Sequence, residues 1–115
     1  MSQLAEELTL DRLIHEPGRL AILTVLSSVA DADFLFLQRA TGLTKGNLSS
    51  HLTKLEDAGL VAIEKRFVRK KPNTNVALTA EGRRRIAHHW EQLERLRHLS
   101  EAVDRDPRSA DERDA

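Results

Sequence analysis

Seven basic side chains fall between Lys45 and Lys71: Lys45, Lys54, Lys65, Arg66, Arg69, Lys70 and Lys71. Only Glu56, Asp57 and Glu64 oppose them within residues 44–75, so this segment carries a net +4 in a 115-residue chain whose formal charge is zero. Clustered cations of this kind neutralise phosphate oxygens. Interleaved with them are Thr44, Asn47, Ser49, Ser50 and His51, short side chains that donate and accept hydrogen bonds. Asn can bond adenine bidentately, while Lys reads guanine or simply neutralises a phosphate. The constellation suits a polyanion with readable edges. Catalysis has no comparable support: there is no paired carboxylate, Ser–His–Asp set or phosphate-cradling glycine loop in context, so neither an enzyme nor a cofactor is expected.

The rest of the composition frames that segment. One domain with a modest core is what 115 residues allow. Hydrophobic residues at 40% and charged residues at 31% are ordinary for a globular protein, and with 3% aromatics the core must be built from Leu, Ile, Val and Ala. Absence of cysteine rules out disulfides and thiolate metal sites. The apolar runs stop short of a membrane span and the acidic start lacks a signal-peptide pattern, so the cytoplasm is the expected compartment. Neutrality does not exclude nucleic acid. Residues 1–43 carry −3 and residues 76–115 carry −1, and charges more than roughly 10 Å from a contact are largely screened.

Several elements must position the basic segment. Leu4, Leu8, Leu10, Leu13 and Ile14 suggest a short helix in residues 2–15, ended by Glu16-Pro17-Gly18; Pro17 then suits the first turn of a buried second helix through Leu26. Ala30–Asp33 reads as a loop whose acidic residues cap a small helix, Phe34–Thr41, and Gly42-Leu43 is a tight turn. Leu48, Leu52 and Leu55 recur at i, i+4 and i+7, so Thr44–Ala58 is an amphipathic helix capped by Thr44 and ended by Gly59. Leu60–Val68 reads as a strand, Arg69–Asn73 with Pro72 as a hairpin tip, and Asn75–Leu78 as the returning strand. Thr79 caps a long last helix, expected over Ala80–Val103. Residues 104–115 contain no large apolar side chain and read as a disordered tail.

A helix pair around a glycine turn, followed at once by a hairpin, is the winged form of the helix–turn–helix. Gly42-Leu43-Thr44, Gly46-Asn47-Leu48-Ser49, His51-Leu52, Leu55 and Gly59-Leu60-Val61 resemble the second-helix signature of winged helix–turn–helix transcriptional regulators. Pro72-x-Thr74 and Leu78-Thr79-x-Glu81-Gly82-Arg83 resemble the second wing strand and last-helix start of the same group, small single-domain proteins between the MarR and ArsR families. The resemblance covers about Pro17 to Arg85. It implies a homodimer that binds a near-palindromic operator and usually represses. The expected fold is mainly α (α+β), with about five helices and a two- to three-stranded β-wing; residues 1–103 form the domain, including end helices for dimerisation.

Within that reading, Asn47, Ser50 and Lys54 project away from the leucine stripe and are assigned to base edges. Thr44 and Lys45 join Asn47 in the first turn, where free N–H groups favour phosphate. Ser49 either touches the DNA backbone or packs. His51 either touches phosphate or hydrogen-bonds a neighbouring helix. Arg69, Lys70 and Lys71 fit a flanking phosphate strand or minor groove, with Arg66 and Lys65 weaker candidates. Arg83-Arg84-Arg85 reads mainly as a solvated face, and His88, His89 and His98 do not form a convincing metal set, so no metal site is assigned. A stripe through Ile86, Trp90, Leu93, Leu96 and Leu99, with Leu4 and Leu8, exceeds what a small core covers and is assigned to a dimer interface. The expected partners are double-stranded DNA and a second copy. An effector would have to bind in the dimer crevice or along the end helices, or be another protein. The alternative is a winged helix used as a protein–protein interaction module in a larger complex, which a neutral chain mildly favours.

Overall fold

The computed structural model describes residues 10–105, with side chains to Val103. They divide into two compact units. The first comprises residues 11–87; the second includes Leu10 and the helical residues from His88 onward. Of the helix expected in residues 2–15, only residues 10–15 are described, and they form a turn and a bend instead of a helix; Leu4, Leu8 and residues 106–115 lie outside the described residues, while Asp104 and Arg105, expected in the tail, extend the last helix.

Four helices and three short strands are described: α1 (Pro17–Ser27), β1 (Ala32–Asp33), α2 (Phe34–Thr41), α3 (Lys45–Asp57), β2 (Val61–Val68), β3 (Lys71–Leu78) and α4 (Ala80–Arg105). That is one helix fewer than the five expected. The sheet is antiparallel in the order β1-β3-β2. No helix among the described residues is long and apolar enough to cross a membrane.

Local chemistry accounts for most boundaries. Pro17 opens α1, and the Glu16 carboxylate caps it by accepting from the Arg19 N–H at 2.8 Å. Asp33 caps α2 through the Phe36 N–H at 2.8 Å, and Gly42 ends it with φ +72°. The Thr44 hydroxyl accepts from the Asn47 N–H at 3.1 Å and starts α3. At the other end the Gly59 N–H reaches the Glu56 carbonyl and the Leu60 N–H the Leu55 carbonyl, both at 2.9 Å, with Gly59 at φ +77°. These paired bonds stop the helix cleanly and turn the chain into β2.

The core of the first unit gathers one face from every element. Ile14, Ile22, Leu23, Leu26, Leu37, Leu48, Leu55, Leu60 and Val76 have no exposed surface. The leucine stripe of α3 is buried as its spacing predicts. On α2 only Leu37 is buried, and Leu35 and Phe36 are about half exposed. The last helix is locked to the end of α3 through Thr79, whose hydroxyl donates to the Gly59 carbonyl at 2.6 Å and accepts from the Gly82 N–H at 3.0 Å. Gly82 is needed for that approach, since a Cβ there would lie 2.1 Å from the Leu60 carbonyl oxygen.

Two expectations about the sheet need correction. Ala32 and Asp33 are not loop but a two-residue strand pairing with Val76 and Asn75. The hairpin tip is not Arg69–Asn73 but Arg69 and Lys70 alone, with Val68 opposite Lys71 and Phe67 opposite Pro72. Proline is tolerated inside β3 because a two-residue turn makes Val68–Lys71 the closing hydrogen-bonded pair. The next pair, Phe67–Pro72, then shares no backbone hydrogen bonds, and β1 does not extend along β3 far enough to need a donor there.

Candidate nucleic-acid interface

Burying Leu48, Leu52 and Leu55 turns the opposite side of α3 to solvent. Thr44, Lys45, Gly46, Asn47, Ser49, Ser50, Thr53 and Lys54 are all exposed. They form a continuous polar face with two cations and no bulky apolar group, the profile of a helix able to enter the major groove of DNA. Thr44 spends its acceptor on the Asn47 N–H, which leaves the hydroxyl proton free to donate to a phosphate. Lys45 and Asn47 stand in the first turn, where the positive end of the helix dipole adds to the attraction for anions.

His51 is arranged differently from its neighbours. Its side chain is 17% exposed and leans on the first turn of α1: Nδ1 lies 3.3 Å from the Arg19 guanidinium and Nε2 lies 3.6 Å from the Glu16 carboxylate. Arginine can only donate, so Nδ1 must accept and the neutral ring carries its proton on Nε2. Gly18 leaves the space, because a Cβ there would come within 2.6 Å of Nε2. Of the two roles left open by the sequence, hydrogen bonding to a neighbouring helix is the one this geometry displays. Arg19 is itself held by the Leu13 carbonyl at 2.6 Å. Burial pushes the Glu16 carboxyl up. The N–H groups of Arg19 and Gly18, together with the Arg19 charge, outweigh that, and it titrates below the usual carboxylate range.

Across a groove from α3 stands the hairpin of β2 and β3. Arg66, Arg69, Lys70 and Lys71 are exposed on it, as is Lys65. The groove measures about 900 Å³ and is walled by Lys45, Ser49, Thr53 and Glu56 of α3 and by Ile63, Lys65, Pro72 and Thr74 of the hairpin, with Asp33, Phe34 and Leu35 at its end. Thr53 and Thr74 join this groove without having been assigned to the site from the sequence. Thr53 lies four residues after Ser49 on the polar face, so its helical spacing was a usable signal; Thr74 joins the groove only through the strand register. At the tip, Arg69 and Lys70 have φ of +54° and +66°, a left-handed conformation in which glycine or asparagine is usual.

The remaining basic and histidine residues have other surroundings. Arg83 donates to the Val29 carbonyl at 3.4 Å and Arg84 pairs with Glu81. Arg85 grips Asp11, with its Nε 3.2 Å from the carboxylate. Burial raises the Asp11 carboxyl, but the hydrogen bond and charge of Arg85, with the Ile14 and Leu13 N–H groups, bring it below its ordinary value. Within the second unit His88 is exposed while His89 is buried, and His98 lies between Glu94 and Glu101 at 3.3 and 3.6 Å. Among the described residues no group of three or more His, Cys, Asp or Glu is placed to hold a metal ion. Trp90 is 40% exposed, and Leu93, Leu96 and Leu99 are half-buried.

Comparison with known proteins agrees with this geometry. An uncharacterised protein of Methanocaldococcus jannaschii is 35% identical over 72 residues, covering 63% of this chain and 78% of that protein. The solved structure of a transcriptional regulator homologue from Pyrococcus horikoshii is 30% identical, with a TM-score of 0.75, covering 90% of this chain and 99% of that one. A MarR-family regulator from Enterococcus faecalis shares the fold at 24% identity and a TM-score of 0.61, with 90% of each chain covered. The family model described as a winged helix DNA-binding domain matches residues 19–97. The chain therefore belongs to the winged helix DNA-binding family, a family of DNA-binding modules and not of enzymes.

Proposed function

We propose that this protein is a cytoplasmic, homodimeric regulator that binds double-stranded DNA at a specific sequence and acts as a repressor. Helix 44–58 enters the major groove, and wing 66–75 grips the adjoining backbone or minor groove. The observation that carries the reading is the complete division of α3: all three leucines are buried, while the outward face from Thr44 to Lys54 is polar and cationic. Asn47, Ser50 and Lys54 reach base edges; Thr44, Lys45 and Ser49 hold phosphates. His51 acts from behind, bracing α3 against α1. Arg66, Arg69, Lys70 and Lys71 extend the contact beyond the groove. Repression is what resemblance to the MarR/ArsR-like group implies.

Dimerisation is supported by the half-exposed apolar stripe of Trp90, Leu93, Leu96 and Leu99. Twofold symmetry would set the two recognition helices about 34 Å apart, one turn of DNA. An effector, small molecule or protein, would act at that interface.

Electrophoretic shift of mixed duplexes at low and moderate salt tests the reading. With three or four phosphate contacts per subunit, log affinity should fall with log salt at a slope of about −5 to −7. If no duplex is shifted at low salt, the alternative of a protein–protein module, for which zero net charge speaks, takes its place.

A further inference from the structure

Phe67 is 75% exposed, more than any other large apolar side chain described. It is not isolated. Pro72 stands directly opposite on β3, and alternation along the strands puts both on the face that carries Ile63, Lys65 and Thr74. Those three line the groove beside α3. The ring therefore caps the outer end of the wing's groove-side face, four residues and about 13 Å beyond Ile63. Nothing in the fold needs an aromatic there, and a solvent-facing hairpin would be better served by a polar group.

Its surroundings indicate what covers it. Lys65, Arg66, Arg69, Lys70 and Lys71, all exposed, adjoin Phe67 along the chain or across the hairpin. A second copy of this tip would bring like charges together. The minor groove of a duplex presents two rims of phosphate with sugars and base edges between them, and so matches an apolar ring set among cations. We propose that Phe67, backed by Pro72, is an apolar wedge that enters the minor groove beside the recognition helix and partly unstacks one base step. It would thereby favour the easily opened pyrimidine–purine steps at a position the helix does not touch. The inference rests on the DNA-binding reading and goes beyond it.

The test compares wild type, Phe67→Ala, Phe67→Leu and Lys70→Ala on a duplex selected by the wild type, with 2-aminopurine placed in turn at each flanking step. Wild type should raise fluorescence at one step per half-site. Phe67→Ala should abolish that rise and weaken binding about tenfold, with the salt slope unchanged. Phe67→Leu should keep part of both signals. Lys70→Ala should flatten the slope by about one unit yet keep the fluorescence rise. Because the ring is exposed, the melting midpoint of Phe67→Ala should match the wild type. The wedge is overturned if Phe67→Ala binds like wild type, if no step responds in wild type, or if the variant's weaker binding accompanies a changed sedimentation coefficient. Failure of the wild type to bind any duplex would instead remove the DNA-binding reading, and this inference with it.

Discussion

The two-residue tip of the wing makes a prediction in which stability and binding move in opposite directions. Arg69 and Lys70 both occupy left-handed backbone conformations, at φ +54° and +66°. Such a conformation costs a residue with a Cβ roughly 1–2 kcal/mol, and Asn-Gly is the preferred pair for a turn of this kind. Replacing the tip by Arg69→Asn and Lys70→Gly should relieve about 2–3 kcal/mol, less up to about 1 kcal/mol for the greater freedom of glycine in the unfolded chain. A net gain of about 1–2 kcal/mol corresponds to a rise in melting midpoint of about 4–8 °C in a domain of this size. The same change removes two cations from each wing. Each phosphate contact contributes about 0.9 to the salt slope, hence close to an order of magnitude in affinity near 0.1 M salt. Thermal melting followed by circular dichroism, and fluorescence anisotropy on a selected duplex across a salt series, read both effects. A variant that melts higher and binds more weakly with a flatter slope is the expected result. Unchanged affinity would refute the role given to the wing, and an unchanged or lower midpoint would refute the strain argument.

Other perturbations report on separate parts of the structure. Gly82→Ala drives a Cβ to within 2.1 Å of the Leu60 carbonyl, so chemical denaturation should show a loss of about 3 kcal/mol, at the upper end of overpacking costs. Asp11→Asn tests the link to Arg85. The folded Asp11 carboxyl titrates below its unfolded value, so its stabilisation is present above the unfolded value and disappears as pH falls through the folded one. The variant should be about 1 kcal/mol less stable at pH 7, and the gap to wild type should close in acid. Asn47→Ala should cost about 1–3 kcal/mol on the preferred sequence and little on random DNA, as competition binding would reveal. Sedimentation at micromolar concentration should give a dimer; a monomer there would contradict the role assigned to Trp90, Leu93, Leu96 and Leu99.

What the chain discloses before folding is what short-range chemistry controls. The Leu48, Leu52 and Leu55 stripe, the Thr44 and Thr79 caps, and the glycine ends at 42 and 59 are local, and each is found in the structure where its sequence signal lies. Features created by distant partners were not readable. Ala32–Asp33 is a strand only because β3 lies beside it. Pro72 looked like a turn breaker, yet its place in the hairpin register lets it sit within a strand. The inward lean of His51 depends on Gly18, 33 residues earlier. The groove between α3 and the wing unites residues from Asp33 to Thr74 and has no linear signature. The cationic face itself was legible, because it needs only a helix period and a charge count.

Selection from a random duplex pool, with anisotropy on the survivors, measures the central claim most directly. The account predicts enrichment of one near-palindromic site whose half-sites lie about 10 base pairs apart, bound far more tightly than the unselected pool. A pool that emerges unenriched, with no duplex held even in dilute buffer, would contradict it.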